Sequence, residues 1–232
     1  MTPSAATTRR SAAVALALLL PAPTIGVLFG MFLLPDSHLG LVLFGASKVW
    51  ILALPFLWQL IVNKARPSLS PARNGGFGIS ALLGIGISLF ILAAYALLRH
   101  QLIDTNAFRE ALVEIGLADP KRYIIGAAYW ITINAVLEEY VWRWFVVQEF
   151  RQITSARVAI VLSALAFTVH HIFAMSVYFN WHVVAMAATG IFIGGAIWSW
   201  CYVRFKSIWP GYISHAIVDF AVFAIGWHIL FG

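Results

Sequence analysis

The stretch Glu138-Glu139-Tyr140-Val141-Trp142-Arg143 puts three charged side chains inside an otherwise apolar run, and its reading decides what kind of protein this is. Charge at membrane depth is expensive and survives where it pairs or does chemistry. On a helix, Glu139 and Arg143 are four positions apart and share a face, with the acid N-terminal to the base, the favourable order for an ion pair. Glu138 points about 100° away from them. Its partner must therefore come from another helix.

The rest of the chain supports membrane depth for this stretch. Its 232 residues are 62% hydrophobic and 10% charged, with a mean hydropathy of +0.88, whereas soluble domains carry roughly 25% charged residues. Several runs exceed the roughly 18 apolar residues that cross a bilayer as a helix, and the alternation of an outer-membrane barrel is missing. The expected fold is all-α, a polytopic membrane bundle of about seven transmembrane helices. A net charge of +6 raises the question of nucleic acid, but the basic residues are scattered over short loops and form no patch. No nucleic-acid partner is expected; the bilayer is. The single Cys201 excludes an intrachain disulfide and reads as a core or lipid-facing residue.

Residues 1–10 are polar and end in Arg9-Arg10, and 11–34 are apolar. This apolar run is longer than the 7–15 residues of a signal-peptide core, and the Ser-Ala-Ala that follows the arginines is a poor twin-arginine match. An uncleaved first helix is expected, interrupted at Pro21 and Pro23. The second span, 39–62, contains Lys48 as its only full charge; snorkelling, a carboxylate partner and a polar cavity are all open to it, and snorkelling is taken as the expectation. Residues 63–76 hold Lys64, Arg66, Pro67, Pro71, Arg73 and a Gly pair, the makings of a charged loop. A third span covers 77–98. Between 99 and 122, Phe108, Ala111, Leu112 and Ile115 recur at helical spacing, which predicts a short amphipathic helix ended by Gly116 and Pro120. A solvated surface helix is the simpler reading of it, and a lid over a site the functional one. Further spans are expected at 123–148, 156–178, 182–203 and 208–230. The organisation read from this is an N-terminal part, 1–122, and a helical core, 123–232, within one integral domain.

With the N-terminus inside, the cytoplasmic segments hold Arg9, Arg10, Lys64, Arg66, Arg73, Arg151, Arg157, Arg204 and Lys206, against Arg99, Arg109, Lys121 and Arg122 outside. The excess of positive charge on the inner side predicts N-inside and C-outside.

The other intramembrane polar residues are His170 and His171 in the fifth span, and His215 with Asp219 in the seventh. None would face lipid willingly, so they need a common interior. His215 and Asp219 share a helix face, as do Phe167 and His171. His170 points about 100° away from His171 and reads as a core residue, while His182, beside Asn180 and Trp181, reads as interfacial.

Glu138-Glu139-xxx-Arg143, Phe167-xxx-His171 and His215-xxx-Asp219, each on its own apolar span and in that order, resemble the three motifs of the CAAX protease and bacteriocin-processing (CPBP) family, glutamic-type intramembrane proteases that include the type II CAAX prenyl endopeptidases. The resemblance covers roughly 123–230. It implies peptide hydrolysis without a cofactor. In that scheme Glu138 and His171 activate a water, His215 and Asp219 bind the developing oxyanion, and Glu139, Arg143 and Phe167 support them. Asp219 cannot donate a hydrogen bond when ionised, so it is expected to orient His215. The implied partner is a membrane-associated peptide or protein substrate, and the setting a bacterial inner membrane. Two alternatives use the same residues. Glu138, His171, His215 and Asp219 are plausible zinc ligands, although no HExxH helix is present; and acids with histidines inside a bundle also suit an immunity protein or a proton-coupled carrier.

Overall fold

Helix after helix follows from the apolar runs, most of them started by a polar cap. The computed structural model describes residues 5–35, 37–102, 104–114 and 116–232, and among these there are helices and no strand. We number the helices α1 (Thr8–Leu33), α2 (His38–Val62), α3 (Phe77–Leu102), α4 (Thr105–Glu114), α5 (120–153), α6 (Ala156–Ser176), α7 (Trp181–Phe205) and α8 (Ile208–Phe231). Capping side chains accept from the orphan amides of the first turns: Ser37 from Leu39, Asp119 from Arg122, Ser155 from Val158, Asn180 from His182 and Val183, and Ser207 from Trp209.

Among the described residues, six helices are long and apolar enough to cross a membrane. Of the seven expected crossings, the one that falls outside this group is α5, which carries Glu138, Glu139 and Arg143. It is also irregular, with wide i→i+5 turns over Trp130–Asn134 and Glu139–Val147. Such turns recur at functional sites. The first span breaks at Leu20, ahead of Pro21 at the first position of the next helical stretch, because proline has no amide to offer the preceding turn.

The core sits along α5. From Val141 to Val147 every residue is buried, packed against Leu16, Leu19, Leu54, Phe167, Trp198, Tyr202 and Val218 from the surrounding helices. Large apolar side chains such as Leu82, Phe90 and Leu97 on α3 and Ile61 on α2 point outward. In water this would be an aggregating surface; against acyl chains it costs nothing. Cys201 is fully buried, its Sγ 3.4 Å from Ser80 Oγ, which makes it a core residue.

The two most extensive helix pairings are α6 with α7 and α3 with α8. The second depends on small residues, as close packing inside a bilayer generally does. Ser88 Oγ donates to the Ile217 carbonyl (3.1 Å), and a Cβ on Gly84 would lie 2.9 Å from the Ser214 backbone. Gly84→Ala is therefore expected to push α3 away from α8 and to cost about 1–3 kcal/mol, measurable as a lower melting temperature in detergent. The loop before α3 is tied to the α7–α8 turn: Ser207 Oγ donates to the Ser70 carbonyl (2.6 Å) and Asn74 to the Phe205 carbonyl (3.1 Å).

The expected short helix is present as α4, started by Asp104 accepting from the Asn106 and Ala107 amides and followed by Gly116 at φ +77°. It docks at the ends of the bundle, with Phe108 stacked on Phe179 at 5.3 Å and Arg109 donating to the Ile229 carbonyl at 2.8 Å. Ile115, expected on its apolar face, and Met1 to Ser4 lie outside the described residues.

Candidate active site

Three helices supply the site. Glu138 and Glu139 come from the irregular middle of α5, Phe167, His170 and His171 from α6, and His215 and Asp219 from α8. His215 is the hub. It is 3% exposed, and each ring nitrogen meets carboxylate: Nδ1 lies 3.1 Å from Glu139 Oε1, and Nε2 lies 3.6 Å from Glu138 Oε2 and 3.7 Å from Asp219 Oδ1. A carboxylate accepts only, so Nδ1–H donates to Glu139. Nε2 is the nitrogen turned toward Glu138 and Asp219.

This arrangement changes one expectation. The residue that fixes the His215 tautomer is Glu139, which was read as a brace for the helix; Asp219 stands on the other edge of the ring, beyond hydrogen-bond reach. The cause is the direction of α8, which presents Nδ1 to α5 and leaves Nε2 for the open side. Glu139 does form the expected pair, its Oε1 lying 3.3 Å from Arg143 Nε with both side chains essentially inaccessible. It also lies against Gly211 of α8, where a Cβ would come within 2.7 Å of Oε2. Only glycine lets the two backbones approach this closely around a fixed carboxylate.

Aromatic rings form the walls. Trp198 of α7 stacks on His215 at 3.8 Å and 14°, held by its indole N–H donating to Ser214 Oγ at 3.1 Å. The Arg143 guanidinium lies 4.6 Å from the Phe167 ring and 5.2 Å from Trp198, which offsets part of the cost of burying a cation. Phe167 packs on edge against His171 at 4.6 Å, the contact its spacing predicted. His171 Nδ1–H donates to the Phe167 carbonyl at 2.7 Å. Its Nε2 is therefore the lone-pair nitrogen.

Glu138 and Asp219 keep 21% and 20% of their side-chain surface accessible, while Glu139 and Arg143 keep none. The site thus has an open face carrying Glu138, Asp219 and His171, and a closed face carrying the ion pair. His170 is buried, stacked on Trp142 at 5.2 Å and 6°, a core position. His182 is exposed beside Trp181 at the start of α7. Trp198, Ser214 and Gly211 were not foreseen. One tryptophan among ten and one glycine among seventeen give no local signal, although Ser214 adjoins His215.

Residues 120–221 match the family model described as type II CAAX prenyl endopeptidase Rce1-like. The chain carries an Rce1-like segment. It contains every residue of the three motifs, from Glu138 to Asp219, and agrees with the resemblance read from them. Over those residues the chain is similar to a family described as endopeptidases. Curated proteins and solved structures give no match. Outside the Rce1-like segment, Lys48 of α2 is exposed, with its Nζ 5.1 Å from the centre of the Phe44 ring one turn earlier on the same helix.

Proposed function

We propose that this protein is a glutamic-type intramembrane endopeptidase that hydrolyses a peptide bond of a membrane-associated protein or peptide. The observation that carries the reading is the convergence on His215 Nε2 of two partly accessible carboxylates, Glu138 and Asp219, inside an apolar bundle. Packing alone gives no reason to place that cluster at membrane depth.

In the proposed reaction a water sits between Glu138 and the lone pair of His171 Nε2. Glu138 takes a proton as the water oxygen bonds to the scissile carbonyl carbon, and His171 holds the water in line. The carbonyl oxygen gains the charge, and an imidazolium at His215, balanced by the surrounding carboxylates, donates to it from Nε2. The carbon–nitrogen bond then breaks, and the proton held by Glu138 passes to the leaving amine. Asp219 neutralises the imidazolium and lines the open face. Arg143, Phe167 and Trp198 keep the Glu139–His215 unit in place. We place the protein in a bacterial inner membrane with its N-terminus cytoplasmic, and read 1–122 and 123–232 as parts of one integral domain.

The test is a comparison of peptide termini in membranes from cells with the wild-type protein and with Glu138→Gln. New termini that depend on Glu138 support hydrolysis; identical sets of termini remove it. Among the described residues, no group of three or more His, Cys, Asp or Glu side chains is arranged to hold a metal ion. Because the proposed water activation uses only carboxylate and imidazole, cleavage by the purified protein is expected to persist in a chelator, and loss of cleavage that zinc restores would favour the zinc reading.

A further inference from the structure

The ends of α3 and α8 and the start of α4 enclose a cavity of about 470 Å³ whose lining includes Tyr95, Arg99, His100, Asp104, Arg109 and His228. That volume lies within the roughly 300–1,000 Å³ of small-ligand sites. Arg99, His100, Arg109 and His228 make the lining predominantly basic. His228 follows Asp219 by nine residues on α8, roughly 14 Å along the helix axis, so this cavity is separate from the candidate active site.

Its cations are brought together without a counter-ion. Arg99 Nη1 lies 2.7 Å from His228 Nε2, and Arg99 Nε donates to His100 Nε2 at 3.2 Å. A guanidinium only donates, so both ring nitrogens are the lone-pair ones and neither partner brings negative charge. Arg109 reaches across from α4 to the Ile229 carbonyl at 2.8 Å, another neutral acceptor. No carboxylate among the described residues lies within ion-pair distance of either guanidinium. The acid in the lining, Asp104, has its Oδ1 committed to the Asn106 and Ala107 amides. Tyr95 backs the cluster, its ring centre 5.6 Å from the Arg99 guanidinium carbon and edge-on to His228 at 6.0 Å. Cations in the last turn of a helix complement its dipole, which explains each of these residues singly. It gives no reason for two guanidiniums from different helices to share one cavity; an anion between them does.

We propose that this cavity is a binding site for a phosphate group, with Arg99 of α3 and Arg109 of α4 as its two guanidinium ligands. Guanidinium forks match phosphate oxygens in pairs, and a tetrahedral anion offers oxygens to donors arriving from two directions. The position favours the phosphodiester of an anionic phospholipid headgroup. The cavity stands at the ends of two helices long and apolar enough to cross a membrane, and beside it Leu97 and Trp227 are exposed, where acyl chains and the interface would meet them. A headgroup bound there ties α4 to the ends of α3 and α8. The inference goes beyond the hydrolytic reading and does not depend on it.

The experiment uses the full chain, purified in detergent, freed of lipid and melted with increasing phosphatidylglycerol, phosphatidylcholine or inorganic phosphate. Phosphatidylglycerol is expected to raise the melting temperature saturably, and phosphatidylcholine, which carries no net charge, to leave it nearly unchanged. Arg109→Gln is expected to weaken the apparent affinity for phosphatidylglycerol about tenfold, and Arg99→Gln/Arg109→Gln to weaken it further. Lys121→Gln, which removes an exposed cation outside the cavity, is expected to keep the wild-type affinity. Saturable stabilisation by inorganic phosphate that competes with the lipid would support the phosphate site and make free phosphate its source. Stabilisation by neither phosphatidylglycerol nor inorganic phosphate, equal stabilisation by phosphatidylcholine, or an equal loss of affinity in Lys121→Gln would overturn the proposal. Should the double variant fail to accumulate, Arg109→Gln against Lys121→Gln decides, because both residues are exposed, and the wild-type titration needs no variant.

Discussion

Glu138→Gln is expected to lower peptide hydrolysis by about 10²–10⁴-fold, the contribution typical of a general base, while the protein inserts and accumulates as the wild type does. The amide keeps the size of the carboxylate and its carbonyl oxygen, so its contact with His215 Nε2, 3.6 Å away in the wild type, survives. What it loses is the capacity to take a proton from water. Because Glu138 is one of the two partly accessible acids on the open face, its neutralisation leaves the buried ion pair untouched and the fold intact. Quantification of membrane-inserted protein alongside the peptide termini checks both halves. A full phenotype from Glu138→Gln would point to the immunity or carrier reading.

Arg143→Ala should act in the opposite way, on the fold first. Glu139 and Arg143 are both 0% exposed, and removing one member of a buried pair leaves the other charge uncompensated, at a cost of about 3–5 kcal/mol. The substitution also empties the space between Phe167 and Trp198 that the guanidinium fills. Folded yield in detergent is expected to drop sharply, with activity lost in parallel. Glu139→Gln combined with Arg143→Met is expected to recover much of the yield, because the amide still accepts from His215 Nδ1 and no charge is stranded. Normal yield from Arg143→Ala alone would show that Glu139 is held by something other than this pair.

Much of the site was legible before any coordinates. Four-residue spacings put Glu139 with Arg143, Phe167 with His171 and His215 with Asp219, and each pair is close in the structure. Spacing within one helix reports which residues share a face, and the energetic penalty for charge in lipid says that those faces turn inward. It does not report which atom of one helix meets which atom of another. Hence Asp219 was assigned the orienting role that the Nδ1 contact gives to Glu139.

The amino-acid sequence alone determined that the chain crosses a membrane as a helical bundle and that its acids and histidines lie within it, because hydropathy and helical periodicity are local properties. Only the tertiary structure decided that His215 is held between Glu139 on one edge and Glu138 with Asp219 on the other, walled by Trp198 and backed by Gly211. Those contacts join residues up to 77 positions apart, from Glu138 to His215, and depend on how closely two backbones can approach. A stretch of sequence carries no record of that distance until the helices have packed.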